Sequence, residues 1–317
     1  MAENERPTRR VFRQHPLLGT MVEVVLVGGS EAVAHAVSAS VVSEVERLEA
    51  VFSAYLPDSE LQRWKRGEID GLSAEFCAVM SLAGSWQRRS GGAFNPLSGE
   101  VSAVWEDAER AGVVPSTRAL EAVAAAIAAP RFEMRDGVPV RTGDCGLLNL
   151  HAIAKGFIVD QAAAVAPLPA EVHSILVSAG GDMVHRGSSI MAVGIEHPLR
   201  PFDNEPPITS VGLLRAGLAT SGGARRGFQI NGQWFSHVID PRTAQPVDEH
   251  ASISIVAPTA MEADVHATVA GVMATGEALE YIEEIVDVGC CIVERDGRVR
   301  HDSTWGERAA LVVNEGR

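Results

Sequence analysis

The chain has 317 residues, 46% apolar and 21% charged, with a net charge of −14. That length supports a large core, as one domain or two closely packed lobes, and the acidity argues against a nucleic-acid binder, which carries a basic patch or stripe. No apolar run approaches the ~20 residues of a membrane span. In chain order, residues 1–14 are polar and read as a flexible lead-in without an apolar signal core, so a cytoplasmic location is expected. Residues 15–317 then form a single domain.

"TMVEVVLVGG" is a strand ending in a glycine turn. Val33, Val37, Val41, Val45, Leu48 and Phe52 recur with helical spacing across 31–52. "FSAYLPDSELQRW" reads as a polar loop, and a second helix is expected from about Ser73 to Arg89, stopping at Gly91-Gly92. "GAFNPLSGEV" is a turn-rich connection, with Pro96 pushing Asn95 towards extended geometry. Ser116 can cap an alanine-rich helix ending near Pro130. "RFEMRDGVPVRT" is a hairpin on Asp136-Gly137.

"GLLNLHAIAKGFIVDQAAAV" enters a helix, and "HSILVSAGGDMVHRG" is strand, glycine turn, strand. "MAVGIEHP" is a further strand, and "RPFDNEPPITS" an exposed loop. "GFQINGQWFSHVID" is a hairpin on Asn231-Gly232, whose second strand should bury Trp234, Phe235, Val238 and Ile239 and carry His237. "SISIVAP" is a strand feeding a helix that starts at Thr259, because Thr259 and Glu262 have capping-box spacing. "CCIVERDGRVRHD" closes with a hairpin. Helices and hairpins are mixed without strict βαβ repetition, which indicates an α+β fold with mainly antiparallel sheets. Cys77, Cys145, Cys290 and Cys291 lack CxxC spacing and fit reduced structural thiols.

Four stretches could carry chemistry. Asp264 and Thr268 lie at i and i+4, on one face near a helix start. A carboxylate and a hydroxyl there suit a hard cation such as Mg²⁺, or an acid on the helix dipole and a buried threonine. Lys155-Gly156 sits where a helix would begin, and could hold a phosphate or be an ordinary helix end. Gly180-Gly181-Asp182 allows close backbone approach to a ligand, or simply a turn. His237 could serve as a general base or be a core histidine satisfied by backbone.

The ordered series "LLGTMVEV", "FSAYLPDSEL", "GAFNPLSGEV", "LNLHAIAKGFIVD", "ILVSAGGDMVHRG", "FSHVIDPRTAQPV" and "EADVHATVAGVMATG" resembles the ApbE family of FAD:protein FMN transferases, over roughly residues 15 to 295. The resemblance implies a T-fold-like arrangement of two interlocked α/β lobes around a flavin site. It also implies Mg²⁺-dependent transfer of FMN from FAD to a threonine or serine hydroxyl of an acceptor flavoprotein, expected to be cytoplasmic, with AMP released. By the same resemblance, Asp264, Thr268 and the Ala152 carbonyl would hold the metal, and His237 would activate the acceptor hydroxyl. Leu18, Tyr55, Ala93, Phe94, Asn95, Asn149, Lys155, Gly180, Gly181 and Asp182 would bind the flavin nucleotide. The chain departs from the family pattern at Asn95 and Asn149, where aspartate is usual, and at His151-Ala152, where Gly-Gly is usual. Leu18 replaces a methionine and Ala244 a glycine. These departures keep two alternatives open: an FAD pyrophosphatase releasing FMN and AMP, and a non-catalytic FAD-binding protein.

Overall fold

In a computed structural model of the chain, the described residues are 8–69, 71–200, 202, 204–222 and 226–315. The chain begins with a hairpin of β1 (Arg9–Leu17) and β2 (Thr20–Gly28), with Arg9 opposite Val27 and Gln14 opposite Val22. Residues 9–14 are therefore strand, not lead-in; residues 1–7 of the segment expected as 1–14 lie outside the described residues. The valine stripe forms α1 (Glu31–Phe52), capped by Ser30 Oγ, which accepts the Val33 N–H at 3.3 Å.

Two helices occupy stretches that looked like loop. In the first, Ser59 Oγ accepts the Gln62 N–H at 3.1 Å and starts α2 (Glu60–Arg66), which buries Leu61 and Trp64. The competing signal was Pro57, which ends the preceding turn but leaves the next one free to form. After α3 (Ala74–Arg89), the connection "GAFNPLSGEV" turns directly into α4 (Ser98–Ala111), whose Val101, Trp105 and Ala108 are buried. Ser116 caps α5 (Thr117–Ala128), and β3 (Phe132–Arg135) and β4 (Val138–Arg141) form the expected hairpin.

The second half builds the sheet. α6 (His151–Val165) precedes the hairpin β5 (Val172–Ala179) and β6 (Asp182–Gly187), and β7 (Met191–Ile195) pairs with β8 (Thr209–Leu213). The expected loop between them falls partly outside the described residues, at 201 and 203. β9 (Gly217–Gly222) follows, then the hairpin β10 (Gly227–Ile230) and β11 (Gln233–Ser236), and the short pair β12 (Ile239–Asp240) and β13 (Gln245–Pro246). β14 (His250–Ala257) feeds α7 (Ala260–Ala270), and α8 (Thr275–Glu283), β15 (Gly289–Glu294), β16 (Val299–His301) and α9 (Ser303–Glu315) complete the chain.

Eight strands form one antiparallel sheet in the order β1-β2-β5-β6-β9-β14-β15-β16. Alternation along the strands sends side chains to two cores. Val22, Val24 and Leu26 pack with α1 and α6, whereas Val25 packs with Leu176, the β7–β8 hairpin and Trp305 of α9. Both faces are thus covered around β14, which is buried at every residue, and this explains why its sequence is nearly continuous in apolar and small residues. Ile253, Ile255 and Ala257 meet Ala263 and Ala267 of α7, so α7 is pinned flat against the sheet. Among the described residues, no helix is long and apolar enough to cross a membrane.

Candidate active site

A cleft of about 880 Å³ is lined by the turn after β1, the segment following α1, α6, the β5–β6 turn, the segment after β11, and α7. That volume lies in the upper part of the ~300–1,000 Å³ range of small-molecule sites. The cleft exists in this form because α6 and α7 touch closely. Gly156 is at the contact: a methyl there would sit 2.5 Å from the Ala260 carbonyl oxygen and 2.6 Å from the Met261 Cα. One turn on, Asp160 crosses the gap. Its two oxygens accept the Ala260 and Met261 N–H groups at 2.8 and 2.9 Å, while Thr259 Oγ1 accepts the Glu262 N–H at 3.1 Å. The first three free amides of α7 are thereby satisfied.

This arrangement corrects one expectation. Lys155 and Gly156 lie in the second turn of α6, so their amides are not free donors at a helix start. Gly156 instead serves close helix packing.

Three charges meet in the cleft. The Lys155 ammonium hydrogen-bonds Asp182, and Asp264 lies within electrostatic reach of both. Burial disfavours the Lys155 ammonium, but Asp182 and Asp264 together outweigh that and hold its pKa above the ordinary lysine value. Asp264 is pushed the other way: burial and the neighbouring Asp182 raise its carboxyl well above the carboxylate range, only partly offset by Lys155 and the Gly156 amide. Its Oδ2 is buried without a hydrogen-bond partner among the described residues. Once Asp264 is ionised, the Lys155–Asp182–Asp264 cluster carries one net negative charge, which a cation bound beside it would neutralise.

Thr268 lies one turn beyond Asp264 and Ala152 on the facing helix, and both line the same cleft. Carboxylate, hydroxyl and carbonyl are the hard oxygen donors that Mg²⁺ accepts, with water and phosphate oxygens completing its shell. Among the described residues there is no group of three or more His, Cys, Asp or Glu side chains that could hold a metal, so a cation here would depend on these mixed donors. The orphaned Asp264 oxygen fits that role. His266, between the two in sequence, faces away: its Nδ1 lies 2.9 Å from the Tyr281 hydroxyl and its ring packs edge-on against Trp86.

His237 lines the cleft too, but not from within a strand. β11 ends at Ser236, and Trp234 is 44% exposed rather than buried. The apolar flank of the hairpin packs instead through Phe235 against Trp105. Beyond the strand end the ring is held by the backbone: the His237 Nδ1 lies 3.0 Å from the Arg226 carbonyl oxygen. A carbonyl only accepts, so Nδ1 carries the proton and Nε2 presents its lone pair. Burial lowers the His237 pKa, and the Arg226 charge adds to that against the carbonyl bond. The ring is neutral at neutral pH, as a base must be.

The remaining expected residues divide. Leu18, Tyr55, Ala93, Asn149, Gly180 and Gly181 line the cleft. Leu18 sits in a left-handed turn (φ 55°) fixed by its N–H to Glu49 Oε1 at 2.9 Å, and Tyr55, 78% exposed, stacks on His151 at 5.5 Å. Phe94 does not line the cleft; it is buried in the main core. Asn95 lines the cleft, yet its side chain serves the fold: Oδ1 accepts the Leu97 N–H at 2.9 Å and Nδ2 donates to the Ile127 carbonyl at 3.0 Å. Sequence reasoning missed Asp160 and Glu49. The signal for Asp160 was its spacing, since Ala152, Gly156 and Asp160 recur every four residues on one helix face.

The family model described as "ApbE family" matches residues 18–292. Among curated relatives, the FAD:protein FMN transferase of Haemophilus influenzae is 31% identical over 251 residues, covering 74% of this chain and 72% of that protein. The FAD:protein FMN transferase of Treponema pallidum is 28% identical over 328 residues, covering 96% and 90%. The ApbE protein of Thermotoga maritima superposes with a TM-score of 0.80 at 21% identity, over 95% of this chain and 99% of that one. A flavin transferase ApbE from Vibrio cholerae gives 0.74 at 20%, over 95% and 100%.

Proposed function

The chain belongs to the ApbE family, and we propose that it is an enzyme that transfers FMN from FAD to a threonine or serine hydroxyl of an acceptor protein, releasing AMP. The observation that carries this reading is the placement of a neutral, backbone-held His237 on the same cleft as the Lys155–Asp182–Asp264 cluster. FMN transfer needs one group that takes a proton from an incoming hydroxyl and others that neutralise a pyrophosphate.

In this reading the acceptor oxygen attacks the FMN-side phosphorus of FAD. The new bond joins FMN to the acceptor, the bond to the bridging oxygen breaks, and AMP leaves with that oxygen. His237 Nε2 receives the hydroxyl proton, and its Nδ1–H bond to the Arg226 carbonyl stabilises the imidazolium that forms. Lys155, kept charged by its two carboxylates, faces the phosphates as a fixed cation. Mg²⁺, held by Asp264, Thr268 and the Ala152 carbonyl, would supply Lewis-acid neutralisation of the pyrophosphate charge. Tyr55 and His151 offer a flat aromatic surface at the rim for the ring system of the substrate.

Incubation with FAD, Mg²⁺ and candidate acceptor flavoproteins should give covalent flavin, fluorescent on a denaturing gel. His237→Ala should slow labelling by ~10²–10⁴-fold, the usual contribution of a general base. Full retention of labelling in that variant would remove His237 from the role. Release of FMN and AMP without any labelled acceptor would replace transfer by pyrophosphate hydrolysis.

A further inference from the structure

Asp160 is an acid that the chemistry above does not use, in a helix that carries Lys155. Its carboxylate bonds both Ala260 N–H and Met261 N–H, at 2.8 and 2.9 Å, from a different helix 100 residues earlier in the chain. A helix N-terminus is usually capped by its own preceding residue, and α7 already has that cap in Thr259. The additional bonds from Asp160 therefore tie two helices together. Ala152, Gly156 and Asp160 form one i, i+4, i+8 row on α6. At its upper end Ala152 lines the cleft opposite Thr268 and Asp264; in the middle Gly156 lets the backbones meet; at its lower end Asp160 locks the register.

The lock has a geometric consequence. Asp264 lies one turn beyond Ala260, and Lys155 lies little more than one turn before Asp160. Sliding or tilting one helix on the other moves Asp264 and Thr268 relative to Lys155 and Ala152, which sit on opposite walls. The capped amides also remove the positive end of α7 as a phosphate site, leaving anion and cation binding to the side chains further along.

We propose that Asp160 is a positioning residue whose bidentate grip on the first turn of α7 sets the spacing of Ala152 and Lys155 from Asp264 and Thr268, and with it the affinity of the cleft for a divalent cation. The inference rests on the flavin-transfer reading. It deepens that reading by separating what holds the cation from what places its holders.

The test compares Asp160→Asn, Asp160→Glu and Thr259→Ala with the wild-type chain. Mn²⁺ binding is read by electron paramagnetic resonance in the presence of FAD, alongside melting temperature and the Mg²⁺ dependence of flavin labelling. Asparagine keeps the shape but turns an N–H towards an N–H. Glutamate keeps charge and both acceptors but shifts them by a methylene, so it remains informative where Asp160→Asn does not fold. Thr259→Ala removes an amide partner from the same helix turn without touching α6. Asp160→Asn and Asp160→Glu should each weaken Mn²⁺ binding at least tenfold and raise the Mg²⁺ concentration for half-maximal labelling in parallel, with Thr259→Ala within threefold of wild type. Mn²⁺ affinity within threefold of wild type in both Asp160 variants, or equal losses in all three variants, would overturn the positioning role and leave FMN transfer standing. A wild-type chain that takes up no Mn²⁺ overturns the cation site itself, and this inference with it.

Discussion

The helix contact at Gly156 yields the most quantitative expectation. In Gly156→Ala, the added methyl would stand 2.5 Å from the Ala260 carbonyl oxygen, 2.6 Å from the Met261 Cα and 2.7 Å from the Ala260 carbonyl carbon, where ordinary contact begins at 3.4 Å. The shortfall is about 0.9 Å, and all three atoms are backbone, so no side chain can swing aside. The helices must separate or α7 must tilt. Overpacking of this kind costs about 1–3 kcal/mol, against a gain of about 1 kcal/mol from alanine's better helix propensity. The net loss of stability is therefore small, about 0–2 kcal/mol, readable as a lower urea midpoint. Activity should suffer far more. The displacement falls on the turn that leads to Asp264, and a misplacement of ~1 Å can cost about 10²-fold in rate. Flavin labelling should fall by about that factor in a variant that remains folded. Labelling within threefold of wild type, with an unchanged urea midpoint, would refute the claim that this contact sets the site.

Two further expectations concern charge. Asp264→Asn removes a buried carboxylate whose ionisation burial already opposes, so the metal-free protein should melt no lower than wild type, while Mg²⁺ with FAD should lose its stabilising effect; a wild-type-sized rise with Mg²⁺ would exclude Asp264 as a holder of the cation. Stability should also depend on pH through His185 and His266, both held near pKa 4 by burial against ~6.5 when unfolded. Between those values the unfolded chain binds more protons, so their contribution is present above pH ~6.5 and is lost as pH falls towards 4, up to about 3 kcal/mol each. The buried acids act in the opposite sense: Asp160, raised to about 6, and Asp264, raised to about 8, bind more protons folded than unfolded below those values, so they add stability as pH falls and offset the histidines in the wild-type chain. The histidine share is read by difference: the gap in urea-derived stability between wild type and His266→Gln should move by about 2–3 kcal/mol in favour of the variant from pH 7 to pH 4.5, and a gap independent of pH would contradict the assignment.

The helices and hairpins with period-matched apolar residues and explicit caps were legible: the valine stripe of α1, the Ser116 and Thr259 caps, and the Asp136-Gly137 and Asn231-Gly232 turns. α2 and α4 were hidden, because Pro57 and Pro96 punctuate their starts while their buried faces are single residues a turn apart, such as Leu61 with Trp64 and Val101 with Trp105. The site was legible only as separate fragments. Asp264 and Thr268 announce themselves by i, i+4 spacing, but Lys155 and Asp182 meet through the sheet, 27 residues apart. For Asp160 the sequence shows only the face it shares with Ala152 and Gly156; its partners are backbone amides 100 residues away, and a sequence does not mark where a backbone donor will stand.

The departures from the family pattern take on a specific meaning in this geometry. Asn95 is not a weakened acid in the reacting row. Its Nδ2 donates to the Ile127 carbonyl and its Oδ1 accepts from the Leu97 amide, and an ionised aspartate could make only the second bond while facing a carbonyl oxygen with the first. The asparagine is thus matched to its surroundings, its side chain taken up by bonds that hold the fold at the edge of the cleft. His151 is likewise engaged, stacked on Tyr55 at the rim, while burial and the nearby Lys155 and Lys65 lower its pKa and favour an uncharged ring. Neither residue interrupts Lys155, Asp182 and Asp264. The local rule that the chain breaks at its cleft is accordingly the buried, unpartnered Asp264 oxygen in a carboxyl whose ionisation burial opposes, and entry of a divalent cation beside a pyrophosphate would relieve both at once. That coincidence supports an active transferase over an idle flavin carrier, because a protein that only held FAD would gain stability from replacing Asp264 with a neutral residue.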